Sequence, residues 1–192
     1  AGPETIYDRM LVKTLVGAVR RAFQPGCQHD TCLVLQGEGG SRKTSFWRTL
    51  FAPWFTTFRG RIGSKDAMLT VHRFWGLELG ELDGITSQTH AGHLKNFLST
   101  NVDSFRTPYG RKVSPTPRHS VFLGTCNEGT FLVDPTGNRR WWIIPVTRTR
   151  QDQIDTDALA RLKPRIWAEA YRLFLIGYSS HLNEADERLN DA

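Results

Sequence analysis

The chain predicts an α/β domain with a central, mostly parallel sheet flanked by helices, and three observations carry that expectation. Short apolar runs of strand length alternate with segments of helical spacing along most of the 192 residues. The first apolar run passes directly into a glycine-rich turn and then a helix, "CLVLQGEGGSRKTSF". The hydrophobic fraction is 39% and the charged fraction 23%, the balance of a globular protein, and no apolar run approaches the roughly 18 residues of a membrane span. The length suits one domain, with a leading helix in residues 1–30, an α/β core in 31–150 and a helical segment in 151–192.

The elements follow in order. "YDRMLVKTLVGAVRRAF" places Met10, Leu11, Leu15, Val19 and Phe23 close to helical spacing, and Gln24-Pro25-Gly26 ends it. Residues 32–36 form a short apolar strand, and "KTSFWRTLFAPWF" begins as a helix with Phe46, Trp47 and Leu50 available for burial. A second strand is expected within residues 73–82, where Trp75, Leu77 and Leu79 alternate and acidic residues follow. Thr86 or Ser87 then caps a helix whose Leu94, Phe97 and Leu98 share a face. "FRTPYGRKVSPTPRHS" reads as a hairpin or exposed loop, because Pro108, Gly110, Pro115 and Pro117 forbid a regular helix. "SVFLGTCN" and, after the turn "DPTGN", "RRWWIIPV" are further strands. From Thr156 onward the pattern is helical apart from Pro164, and a polar helical tail follows with Asn183 as its cap.

The turn after the first strand, Gly37, Glu38, Gly39, Gly40, Ser41, Arg42, Lys43, Thr44, is a phosphate-binding loop with one departure. Such a loop works because successive backbone N–H groups at a helix N-terminus point into one concavity, where the helix dipole adds positive potential. Lys43 would reach the β- and γ-phosphates of ATP, the Thr44 hydroxyl would ligate the Mg2+ that bridges them, and Ser45 completes the stretch. A glycine-rich strand-to-helix turn without a ligand is the plainer reading, and the Lys-Thr pair at this spacing weighs against it. The consensus wants glycine where Arg42 stands. A side chain is accepted there if it points away from the nucleotide, or it lends a contact to phosphate.

Glu78 and Glu81 close the second strand, where ATPases of this type keep one carboxylate for magnesium and another to polarise the attacking water; Glu81 is the candidate for both water and metal, and Asp83 is a weaker third. Acidic residues at a strand end also serve simply to solubilise a loop. Asn127, at the end of the next strand, is placed to hydrogen-bond a γ-phosphate or its attacking water, although asparagine is equally a turn residue. Arg139 and Arg140 open the last strand, a position suited to a finger acting on a neighbour's ATP and equally to a solvated strand end beside Trp141 and Trp142. The finger logic predicts a homo-oligomer, a hexameric ring.

The formal charge is +6, and between Ser104 and Asn127 stand Arg106, Arg111, Lys112 and Arg118 with no acidic residue. With Phe105, Tyr109 and His119 among them, the segment suits single-stranded nucleic acid, cations along the backbone and rings under the bases. A solvated hairpin is the alternative. Cys27, Cys32 and Cys126 have neither metal-ligand spacing nor an even count, and the start of the chain has no secretory pattern, so a reducing, cytoplasmic setting is expected. His29, His72, His90, His93 and His181 show no metal spacing.

The stretches "QPGCQHDTCLVLQGEGGSRKTSF", "FWGLELGELDGI", "HLKNFLSTNVDSFRTPYGRKVSPTPRHSVFLGTCN", "FLVDPTGNRRWWIIPV" and "RIWAEAYRLF", in this order, resemble the virulence-associated E family of phage, plasmid and genomic-island proteins. That family is similar to superfamily-3 helicases of the AAA+ class of P-loop NTPases. The resemblance implies ATP hydrolysis coupled to DNA translocation in the replication of a mobile element. It implies that Gly37, Lys43 and Thr44 correspond to the Walker A loop, Glu78 and Glu81 to the Walker B region, Asn127 to sensor 1 and Arg139 or Arg140 to the finger. Lys95 and Arg106 fall in the motif before sensor 1, whose hairpin touches single-stranded DNA in related helicases. Such helicases often carry a primase or origin-binding domain, so the chain reads as one domain of a larger protein.

Three functions compete on the sequence alone. The first is a DNA-stimulated ATPase motor. A nucleotide- and DNA-binding module without turnover, serving a replication partner, is the second, and a small-molecule kinase sharing the loop is the third.

Overall fold

The computed structural model of the chain describes residues 4–59, 62–80, 88–106, 113–127 and 139–191. The elements are α1 (Ile6–Phe23), β1 (Cys32–Gln36), α2 (Lys43–Phe51), β2 (Phe55–Phe58), α3 (Lys65–Val71), β3 (Gly76–Leu79) and α4 (Gln88–Ser99). They continue with β4 (Val102–Phe105), β5 (Ser114–Pro117), β6 (Val121–Cys126), β7 (Trp141–Pro145), α5 (Thr156–Leu175) and α6 (Glu184–Asp191). Every ladder of the main sheet, ordered β2-β3-β6-β1-β7, is parallel. The expected α/β architecture is thus present, and β4 with β5 form a separate antiparallel ribbon.

Strand alternation builds two apolar layers, one on each side of this sheet. Leu33 and Leu35 of β1, Val121 and Leu123 of β6 and Trp142 of β7 pack with Met10, Leu15 and Val19 of α1, Trp47, Leu50 and Phe51 of α2 and Ala170 of α5. Cys32, Val34, Phe122 and Trp141 face the other way, against Ala67 and Val71 of α3 and Leu94, Phe97 and Leu98 of α4. Trp141 and Trp142 are therefore core residues, one for each layer. Thr5 caps α1 by accepting from the Asp8 N–H while the Asp8 carboxylate accepts from Thr5 N at 2.8 Å, and Asp155 caps α5 by accepting from Ala158 N at 2.8 Å.

Three details depart from the sequence reading. β2 and α3 lie where no element was expected, because β2 is a threonine-rich strand at the sheet edge and α3 is a single short helix started by Ser64. Helix α5 runs through Pro164 without ending. A proline in mid-helix costs about 3 kcal/mol, and the burial of Leu159, Ile166, Trp167 and Phe174 against the α1–α2 layer offsets it. "FRTPYGRKVSPTPRHS" does contain a hairpin strand, β5, in which Pro115 and Pro117 are tolerated because the ribbon has only two strands.

Candidate functional site

Parallel strands bring the C-terminal ends of β1, β3 and β6 to one edge of the sheet, where α/β proteins place their ligands. A cleft of about 410 Å3 opens there, lined by Gly39, Gly40, Arg42, Lys43, Thr44, Ser45, Thr125, Cys126 and Asn127. The turn that forms its floor requires glycine at two points. A Cβ at Gly37 would stand 2.6 Å from the Val146 carbonyl oxygen, and Gly40 has φ +90°.

Arg42 answers the departure from consensus with its backbone. It holds φ 69° and ψ 31°, the left-handed region, and it is the only non-glycine residue with positive φ among the described residues. The position thus keeps the conformation for which the consensus glycine is suited, at a cost of about 1–2 kcal/mol for a residue with a Cβ. Its guanidinium approaches the Thr156 hydroxyl at the start of α5, at 3.5 Å, rather than folding under the turn.

Lys43 is buried at 7% exposure, and its ammonium donates to the carbonyls of Gly37 at 2.7 Å and Glu38 at 2.8 Å. Thr44 donates its hydroxyl to Glu78 Oε1 at 2.6 Å. Glu78 is 0% exposed and accepts two more hydroxyl bonds, from Thr125 of β6 to Oε1 at 2.9 Å and from Thr57 of β2 to Oε2 at 3.0 Å. Its direction follows from alternation: Leu77 and Leu79 face the α3–α4 layer, so Glu78 between them faces α2. Among the described residues, three elements therefore converge on one carboxylate through neutral donors. Thr57 and Thr125 were not singled out from the sequence, though Thr57 is the direct register partner of Glu78; that pairing becomes visible only once β2 is known to exist.

Asn127 lies at the rim, its Oδ1 3.6 Å from the Cβ position of Gly39, so loop and amide do face each other across the cleft. Glu81 lies outside the described residues, as do Tyr109, Arg111 and Lys112. Arg139 and Arg140 are not brought to the cleft of their own chain. Trp141 is in register with Cys32, at the start of β1, so the pair sits at the other edge of the sheet, roughly 13 Å of strand away from Gln36. There Arg140 Nε donates to Ser99 Oγ at 3.1 Å, while Arg139 lines a small pocket with Asp30, His181 and Glu187.

The hairpin base corrects one expectation. Arg118, read as a nucleic-acid contact, is 1% exposed and bound to Asp103 through Nε at 2.6 Å and Nη2 at 2.7 Å. It also donates to the Phe97 carbonyl, its guanidinium lies over the Phe97 ring at 4.6 Å, and its backbone N–H reaches Asn101 O at 2.9 Å. A charge so enclosed is spent on fastening β4 and β5 to the end of α4 and has no face left for phosphate. His72 Nε2 lies 3.0 Å from Asp103 Oδ2. Burial works to raise the Asp103 carboxyl, but the bonds from His72 and Arg118 and the guanidinium charge hold it at about 2. Arg106 is exposed at the end of β4, and Lys95 is half-buried on α4.

The chain is 13% identical to two solved structures of the C-terminal region of NrS-1. One has a TM-score of 0.53 with all of this chain and 48% of that one covered, the other 0.56 with 98% and 51% covered. The chain thus spans about half the length of these structures, and the likeness is one of fold. No curated protein matches it, and no helix among the described residues is long and apolar enough to cross a membrane. The model of the virulence-associated protein E-like domain matches residues 1–192, and the chain belongs to that family.

Proposed function

We propose that this chain is the ATP-hydrolysing motor domain of a replication protein, a P-loop NTPase of the AAA+, superfamily-3 type that acts on single-stranded DNA as a ring of like subunits. The observation that carries the reading is the Thr44–Glu78 hydrogen bond of 2.6 Å, which joins the hydroxyl after the loop lysine to a buried carboxylate from another strand. An acidic group held by hydroxyls, beside a lysine at a helix N-terminus, fits a hydrated divalent cation together with a polyphosphate. When bound, Mg2+ would supply Lewis-acid charge at the β- and γ-phosphates.

The chain's own residues divide the remaining work. The backbone N–H groups from Gly39 to Thr44 cradle phosphate, and Lys43 exchanges its carbonyl partners for phosphate oxygens. Thr44 and Glu78 hold the cation, Asn127 orients the water from the opposite rim, and Glu81 takes its proton. Arg139 or Arg140 of a neighbouring subunit serves the cleft, in keeping with their distance from it within one chain. Lys95 and Arg106, with Tyr109, Arg111 and Lys112, form the path for DNA.

Steady-state phosphate release with and without single-stranded DNA tests this reading. Wild-type protein hydrolyses MgATP faster with DNA, and Lys43→Ala lowers the rate by about 100-fold or more. Undiminished turnover in Lys43→Ala would overturn the proposal, and ATP binding without release of phosphate in a folded sample would make the chain a binding module.

A further inference from the structure

The segment between β7 and α5, residues 146–155, runs along the outer side of the glycine-rich turn and grips it at several points. Val146 N donates to Gln36 O at 2.7 Å, Gln153 Nε2 to Gly40 O at 2.9 Å and Ile154 N to Ser41 O at 3.2 Å. Between these anchors Arg150 lays its stem across Gly40, with Cγ 3.2 Å and Cδ 3.5 Å from the Cβ position of that glycine. Gly40 itself lines the cleft.

The two arginines of this strap differ in what their charges do. Arg148 is paired with Asp152, Nη1 to Oδ2 at 2.5 Å. Arg150 is exposed and makes no hydrogen bond or ion pair among the described residues. Its stem packs against Gly40, a residue of the cleft lining, while its head is uncommitted among the described residues.

We propose that Arg150 is a further phosphate-binding residue of this site, reaching over Gly40 to the polyphosphate of a bound nucleoside triphosphate in the same subunit. The inference depends on the nucleotide reading given above. A planar guanidinium suits phosphate oxygens, and the packed stem means that only the end of the side chain has to be ordered on contact. It supplies from within the chain a cation that Arg139 and Arg140, at the other end of the strands, cannot supply in cis.

Calorimetric titration of MgATP into wild type, Arg150→Gln, Arg150→Lys and Lys43→Ala tests it, with thermal melting to show that the variants are folded. Arg150→Gln is expected to weaken MgATP binding about tenfold and Arg150→Lys by less than about threefold. The slope of log Kd against log salt should also be shallower in Arg150→Gln, a change that loss of packing alone would not produce. Wild-type affinity and salt dependence in Arg150→Gln, alongside lost binding in Lys43→Ala, would overturn the role of Arg150 and leave the nucleotide site standing. Absence of MgATP binding by the wild type would overturn both.

Discussion

Two buried carboxylates, Glu78 beneath the cleft and Asp103 at the base of the hairpin, are satisfied by opposite means. Asp103 meets a guanidinium in two hydrogen bonds and an imidazole in a third contact, so its charge is answered inside the chain. Glu78 is more deeply enclosed, yet its partners among the described residues are three hydroxyls, from Thr44, Thr57 and Thr125. Burying an ion without a countercharge is expensive. The first arrangement is that of a clamp, complete as it stands. The second meets hydroxyls instead, and under the proposed function its countercharge would come with a bound cation.

The largest effect should come from breaking the clamp. Arg118→Ala leaves Asp103 buried without its cation and should cost about 3–5 kcal/mol in urea unfolding. The Asp103 carboxyl sits at about 2 in the fold against 3.8 ordinarily, so its contribution is present above 3.8 and is lost as pH falls toward 2. In Arg118→Ala that pH-dependent loss should be smaller, because without the guanidinium the folded carboxyl lies closer to its unfolded value. A fall in stability below about 1 kcal/mol would mean that Arg118 is no clamp, and the contrast with Glu78 would fail.

A smaller effect is expected at the other carboxylate. Thr57→Val removes one donor to Glu78 Oε2 and should cost about 1–3 kcal/mol, with Thr57→Ser restoring most of it. Equal stability of the valine and serine variants would show that the hydroxyl does not help to hold Glu78.

Much of the cleft was legible in the sequence because the loop, its strand and its helix are contiguous. Lys43, Thr44, Glu78 and Asn127 come together through strand ends that periodicity locates. What could not be read depends on contacts made at a distance. Thr57 matters because β2 pairs with β3, and β2 is a short, polar edge strand that lacks an apolar signature. Arg150 meets Gly40 because a strap after the last strand folds back on that glycine across more than a hundred residues. Arg118 shows the reverse failure: a cluster of basic residues reads as an electrostatic surface, but Asp103, fifteen positions earlier, removes one of them from it. Arg42 lay between these cases, since its departure from consensus was plain and only the backbone shows that the left-handed conformation survives it.

The contrast between the two carboxylates is tested most directly by calorimetric titration of ATP into wild type and Glu78→Gln, each with Mg2+ and with EDTA. Glutamine preserves the shape, and the threonine hydroxyls can donate to it or accept from it. Magnesium is expected to tighten ATP binding by wild type at least about tenfold and by Glu78→Gln less than about twofold, with no loss of thermal stability in the variant. The same magnesium enhancement in both proteins would show that Glu78 is a second buried clamp and holds no cation.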